Sequence, residues 1–131
     1  MTLPLWTLFV AVFLPYVWFS IANPLRKAEF GVLDNRHPRL QEAKQTGMGA
    51  RANAASLNAF EALAIYTPAV LVAHVLSPES ALAPKLAVAW LVLRVAHGAF
   101  YVADKPAGRT ASFALATLCA VALFLVGAHV L

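Results

Sequence analysis

The chain is short of charge. Asp, Glu, Lys and Arg make up 12% of its 131 residues, against a hydrophobic share of 61%. A water-soluble domain carries roughly a quarter of its residues charged. A chain of this length cannot hide so large an apolar excess in a core of its own. The scarcity excludes an ordinary soluble fold and reads as one integral membrane domain over residues 1–131.

Cysteine is scarcer still. Cys119 stands alone, so no internal disulfide can form; lying mid-way along an apolar run, it reads as a small packing residue. Also missing are any metal-ligand spacing, a glycine-rich phosphate loop and a nucleophile triad. No repeat or low-complexity tract is present, and no basic patch interleaves with aromatics, so nucleic acid is not an expected partner. The first residues lack the basic segment of a cleaved signal, and the opening apolar run is expected to be a retained helix.

What the chain does have is four apolar runs, each long enough to cross about 30 Å of hydrocarbon. They cover approximately residues 3–22, 49–76, 81–103 and 111–131, and the expected fold is an all-α, four-helix membrane bundle. Pro15 should kink the first run. The one long polar segment, residues 23–48, holds Arg26, Lys27, Arg36, Arg39 and Lys44 against Glu29, Asp34 and Glu42. Lys105 and Arg109 mark the turn after the third run. With Arg51, that face carries eight Lys and Arg, against Lys85 on the other. The excess of basic residues makes the first and third loops cytoplasmic and puts both termini on the opposite side.

Two runs carry polar groups at helical spacing. Asn58 and Glu61 are i, i+3 neighbours on the second, and Arg51 lies on the same face one to two turns before them. Arg94, His97 and Tyr101 fall within about 60° of one another on the third. A charge in hydrocarbon costs on the order of 2.5 to 3.5 kcal/mol, so such residues are rare without a use. The two groups are expected to meet in one inter-helical cavity open to the cytoplasmic side, close to Arg109. Cations outnumber the carboxylates of Glu61 and Asp104 there, which favours a zwitterionic ligand of net negative charge. A purely structural use stays open: Glu61 and Arg94 would neutralise each other, with Asn58 and His97 bonding across helices.

The remaining candidates read as packing or interfacial groups. His74 lies about 220° around its helix from Glu61, and His129 sits near the chain end. Trp6, Trp18 and Trp90 read as lipid-facing or packing aromatics. Asn35, Arg36, His37 and Pro38 form a polar loop that could cover the site or simply be solvated.

These residues, in this order, resemble the MAPEG family, the membrane-associated proteins in eicosanoid and glutathione metabolism. The resemblance rests on four spans, a long polar first loop and Asn58-x-x-Glu61 in the second span. Arg94-x-x-His97-x-x-x-Tyr101 follows in the third, then a short turn ending in Arg109-Thr110. It implies a homotrimer with glutathione as cosubstrate, bound between neighbouring subunits near the cytoplasmic side. It further implies that Arg51, Asn58, Glu61, Arg94, His97 and Tyr101 hold the tripeptide. Arg109 and Thr110 would stabilise its thiolate for attack on a lipophilic electrophile or a lipid hydroperoxide drawn from membrane lipid.

Four positions depart from the family pattern. Ala54 and Ser56 stand where members often carry an arginine and a histidine or glutamine. Phe113 stands where a tyrosine is expected, and Thr110 replaces a serine. The alternatives are a glutathione- or lipid-binding protein of the same fold without catalysis, and a small four-span transporter. An uncharged first span, and arginines beside Glu61, argue against the transporter.

Overall fold

The computed structural model describes all 131 residues and is entirely helical, without strands. Six helices follow one another: α1 (Leu3–Ala11), α2 (Leu14–Phe30), α3 (Pro38–Lys44), α4 (Gly47–Leu76), α5 (Ala83–Val102) and α6 (Pro106–Gly127). Four stretches are long and apolar enough to cross a membrane: Leu3–Phe30, which joins α1 and α2, and then α4, α5 and α6. The protein is an integral, multi-pass helical membrane protein.

Pro15 interrupts the first crossing. Its ring cannot donate to the carbonyl one turn back and crowds it. The chain therefore tightens at Val12 and Phe13, where the Phe13 N–H reaches Val10 O rather than a carbonyl four residues back. Beyond the break, α2 does not stop where its apolar residues end. It runs on to Phe30, through Arg26 and Lys27, and closes at Gly31, whose φ of +78° suits only glycine comfortably. Polar residues thus extend the helix instead of starting a loop; Pro24 lies within it without ending it, and the chain leaves the helical path only at Gly31.

The rest of the polar segment is clipped down. Asp34 accepts from the backbone N–H groups of Arg36 and His37 at 2.8 and 2.9 Å, and Gln41 donates to Val32 O. Glu42 on α3 lies between two guanidinium groups, each at 2.7 Å: Arg26 of α2, which is buried, and Arg39, which is exposed. Gln45 donates to Ala22 O, and Glu29 accepts from both the backbone and the hydroxyl of Thr46. The segment is a built strap, not a free loop.

Helix α4 touches every other crossing and is the axis of the bundle. Its 30 residues span about 45 Å, more than the hydrocarbon alone requires. Small buried residues (Gly49, Ala52, Ala55, Ser56, Ala59) let helices approach closely, the packing that membranes favour. On α5, Gly98 gives way to the Trp18 ring in the same manner; a Cβ there would lie 2.1 Å from it. In the core, Tyr66 stacks on Trp90 with ring centroids 3.5 Å apart, and its hydroxyl is shared between Thr7 and Ala87 O. Trp18 and Trp90 are therefore packing residues, and Trp6 is exposed on α1. His74 contacts Thr2 and His129 contacts Ser77, both at the end of the bundle away from the strap.

Candidate functional site

Between α4, α5 and α6 lies a cavity of about 250 Å³. Asn58, Glu61 and Arg94 form its polar wall with Thr117; Ile65, Trp90 and Phe113 belong to the apolar remainder. Space exists because α6 turns Ala116 and Ala120 inward at this depth.

Arg94 is 3% exposed, yet no carboxylate touches it. Its Nη2 donates to Asn58 O at 3.0 Å and to Asn58 Oδ1 at 2.8 Å. The other end of the same amide, Nδ2, donates to Glu61 Oε2 at 3.1 Å. Asn58 thus relays between a buried cation and an exposed anion. The Arg94 Nε–H is buried and has no partner, which leaves one donor of a buried guanidinium unspent.

A second group sits one to two turns nearer the α5–α6 turn. The Arg109 guanidinium lies over the Tyr101 ring, 4.6 Å from its centroid. His97 Nδ1 is 3.0 Å from Arg109 O and donates to it, and Nε2 is buried without a partner. Arg51 Nε donates to Val102 O, and its Nη1 stands 3.8 Å from Asp104. Asp104 itself turns the chain at φ +57°, a conformation that Asp tolerates better than most residues.

The expected single cavity is in fact two adjoining levels. Asn58, Glu61 and Arg94 line the cavity; Arg51, His97, Tyr101 and Arg109 do not, and Thr110 is exposed outside it. Helical spacing sets which face a residue occupies but not how far one helix slides past its neighbour. Phe113 is the divider. Its ring lines the cavity and lies 5.9 Å from the His97 ring on the other side. None of Asn35, Arg36, His37 and Pro38 lines the cavity.

Sequence reasoning passed over Thr117 and the cavity-lining role of Trp90. Trp90 lies one turn before Arg94 and Thr117 one turn after Phe113, a spacing that could have drawn them in. It also treated Arg26 and Glu42 as loop charges, and no local pattern announces their pairing across 16 positions.

A mostly apolar cavity with one polar wall, between helices that cross the membrane, places ionisable groups at a depth where they are rare without a use. The chain matches the model of the MAPEG family over residues 3–129, and it belongs to that family. It is thus a membrane protein of the group associated with glutathione and eicosanoid metabolism. Comparison with curated proteins and with solved structures found no match.

Proposed function

We propose that the protein is a glutathione-dependent membrane transferase or peroxidase acting on lipophilic electrophiles or lipid hydroperoxides. The observation that carries this reading is the Arg94–Asn58–Glu61 relay with its unspent Nε–H. Glutathione brings two carboxylates, an ammonium and a thiol, and the two levels offer complementary groups. Arg94 and Arg51 would take the carboxylates, and Glu61 the γ-glutamyl ammonium. His97, through its free Nε2, and Tyr101 would position the peptide where it passes Phe113.

Arg109, aided by Thr110, would stabilise the thiolate, since a nearby cation lowers a thiol pKa. On an electrophile, attack forms a carbon–sulfur bond, and the electron pair of the displaced bond leaves with the departing group. On a hydroperoxide it forms a sulfur–oxygen bond as the O–O bond breaks, and the lipid leaves as its alcohol. A second glutathione then converts the sulfenic acid to the disulfide and water. The acceptor partitions from the bilayer along the helix surfaces. In this reading the working unit is a homotrimer, the strap and the α5–α6 turn face the cytoplasm, and both termini lie opposite.

One observation favours a second reading, a binding protein without catalysis: neither Arg109 nor Thr110 lines the cavity. Calorimetric titration of the detergent-purified protein with glutathione, with the ultraviolet thiolate band followed alongside, separates the two. Binding with a thiolate signal lost in Arg109→Ala supports the transferase. Binding without the signal supports the second reading. No binding in folded protein removes the transferase and leaves, of the second reading, only a lipid-binding protein.

A further inference from the structure

A groove of about 190 Å³ runs between α2 and α4 and shares no residue with the cavity. At 100° per residue its α4 residues, Asn53, Ser56, Leu57 and Phe60, lie on roughly the opposite side of that helix. Its composition is graded with depth. Phe60 and Tyr16 form the deeper end, in edge-to-face contact at 5.7 Å and about half exposed. Asn53 lies two turns nearer the strap, and Arg39 of α3 closes the mouth.

Two features ask for a ligand. Asn53 is 8% exposed, and its Oδ1 is buried with no hydrogen-bond partner. A buried acceptor left unpaired costs about 1–3 kcal/mol, and hydrocarbon chains can supply no donor. Arg39 spends Nη1 on Glu42, which fixes the guanidinium over the groove and leaves its other donors free. A molecule that fits has an anion for Arg39, a hydroxyl for Asn53 and an apolar chain to lie against Tyr16 and Phe60.

We infer that this groove binds an anionic, hydroxyl-bearing glycerophospholipid of the phosphatidylglycerol type. The phosphate sits on Arg39, a head-group hydroxyl donates to Asn53 Oδ1, and one acyl chain descends along Tyr16 and Phe60. The volume is about six times the roughly 30 Å³ share of one liquid water, enough for the head but not for the chains. A choline head has no donor for Asn53. An ethanolamine head has one but brings an ammonium into a strap that already holds five Lys and Arg against three carboxylates.

The test is native mass spectrometry of the delipidated protein offered equal amounts of phosphatidylglycerol, phosphatidylethanolamine, phosphatidylcholine and phosphatidylmethanol. Phosphatidylglycerol should be retained most. Phosphatidylmethanol, which keeps the charge and lacks the hydroxyls, should fall behind it. Arg39→Gln should cut phosphatidylglycerol retention about five-fold, the equivalent of roughly 1 kcal/mol for one cation at an anionic lipid. Lys85→Gln, an exposed cation at the far end, should change nothing. Equal retention of all four lipids, preference for ethanolamine, or an unchanged Arg39→Gln overturns the proposal. So does an oligomer that retains no lipid, which would mean that a second copy of the chain covers the groove.

Discussion

Arg94 donates twice to Asn58, to its backbone carbonyl at 3.0 Å and its side-chain oxygen at 2.8 Å, and makes no contact with a carboxylate. A buried guanidinium held only by neutral oxygens keeps its charge available to a ligand. Had it paired directly with Glu61, an incoming anion would have to compete with that carboxylate. The relay places the two opposite charges on one amide and leaves each with an open side.

Removing the relay tests this. Asn58→Ala leaves both partners without their common bond and should lower unfolding free energy by about 2 kcal/mol, the scale of a hydrogen bond to a charged group. Glutathione binding should be lost in the same variant. Denaturation in detergent and calorimetry check the two effects. Asn58→Ala with unchanged binding would mean that the relay serves packing alone.

Gly98 allows the Trp18 ring to lie against α5, with 2.1 Å between the ring and a notional Cβ. Gly98→Ala must displace that ring or the helix, an overpacking that costs about 1–3 kcal/mol. Trp18→Phe offers room, so Gly98→Ala should cost less in that background. A double-mutant cycle by thermal unfolding reads the difference, and strict additivity would count against direct contact.

The strap should be acid-labile. Burial pushes the Glu42 carboxyl up, but hydrogen bonds from Arg26 and Arg39 outweigh it and hold the pKa below the ordinary carboxylate value. A group whose pKa is depressed by folding contributes stability above its unfolded pKa, near 4.3 for Glu. That contribution fades as pH falls through the lower folded value. Limited proteolysis of α3 should therefore accelerate below about pH 4. Glu42→Gln should expose α3 at neutral pH and flatten the acid response; a variant with the wild-type pH profile would exclude Glu42 as the latch.

The crossings were legible because lipid imposes long uncharged runs, and residues 63–76 or 111–128 admit no other reading. The end of α2 was not. Its last two turns are held by Arg26, whose partner lies on α3, and a pairing across 16 positions leaves no local trace. The site was half legible. Spacings of three and four residues put Asn58 with Glu61, and Arg94 with His97 and Tyr101, on shared faces. Whether those faces meet at one depth depends on the offset between α4, α5 and α6, which no local spacing encodes; the ring of Phe113 stands where the two levels adjoin.

That ring supports the last prediction. Phe113 lies 5.9 Å from His97, lines the cavity and is 44% exposed, so it separates the two levels without being locked in the core. Phe113→Tyr keeps the packing and adds a hydroxyl, and stability should stay within about 0.5 kcal/mol. If a bound thiol lies between Arg109 and the cavity, the added phenol can donate to the thiolate and raise its ultraviolet band. Phe113→Ala removes the divider instead, loosening His97 and weakening glutathione binding. Titrations of both variants, followed by calorimetry and absorbance, distinguish a positioning ring from an obstruction. Tighter binding in Phe113→Ala, with no thiolate gain in Phe113→Tyr, would show that the ring only blocks the passage.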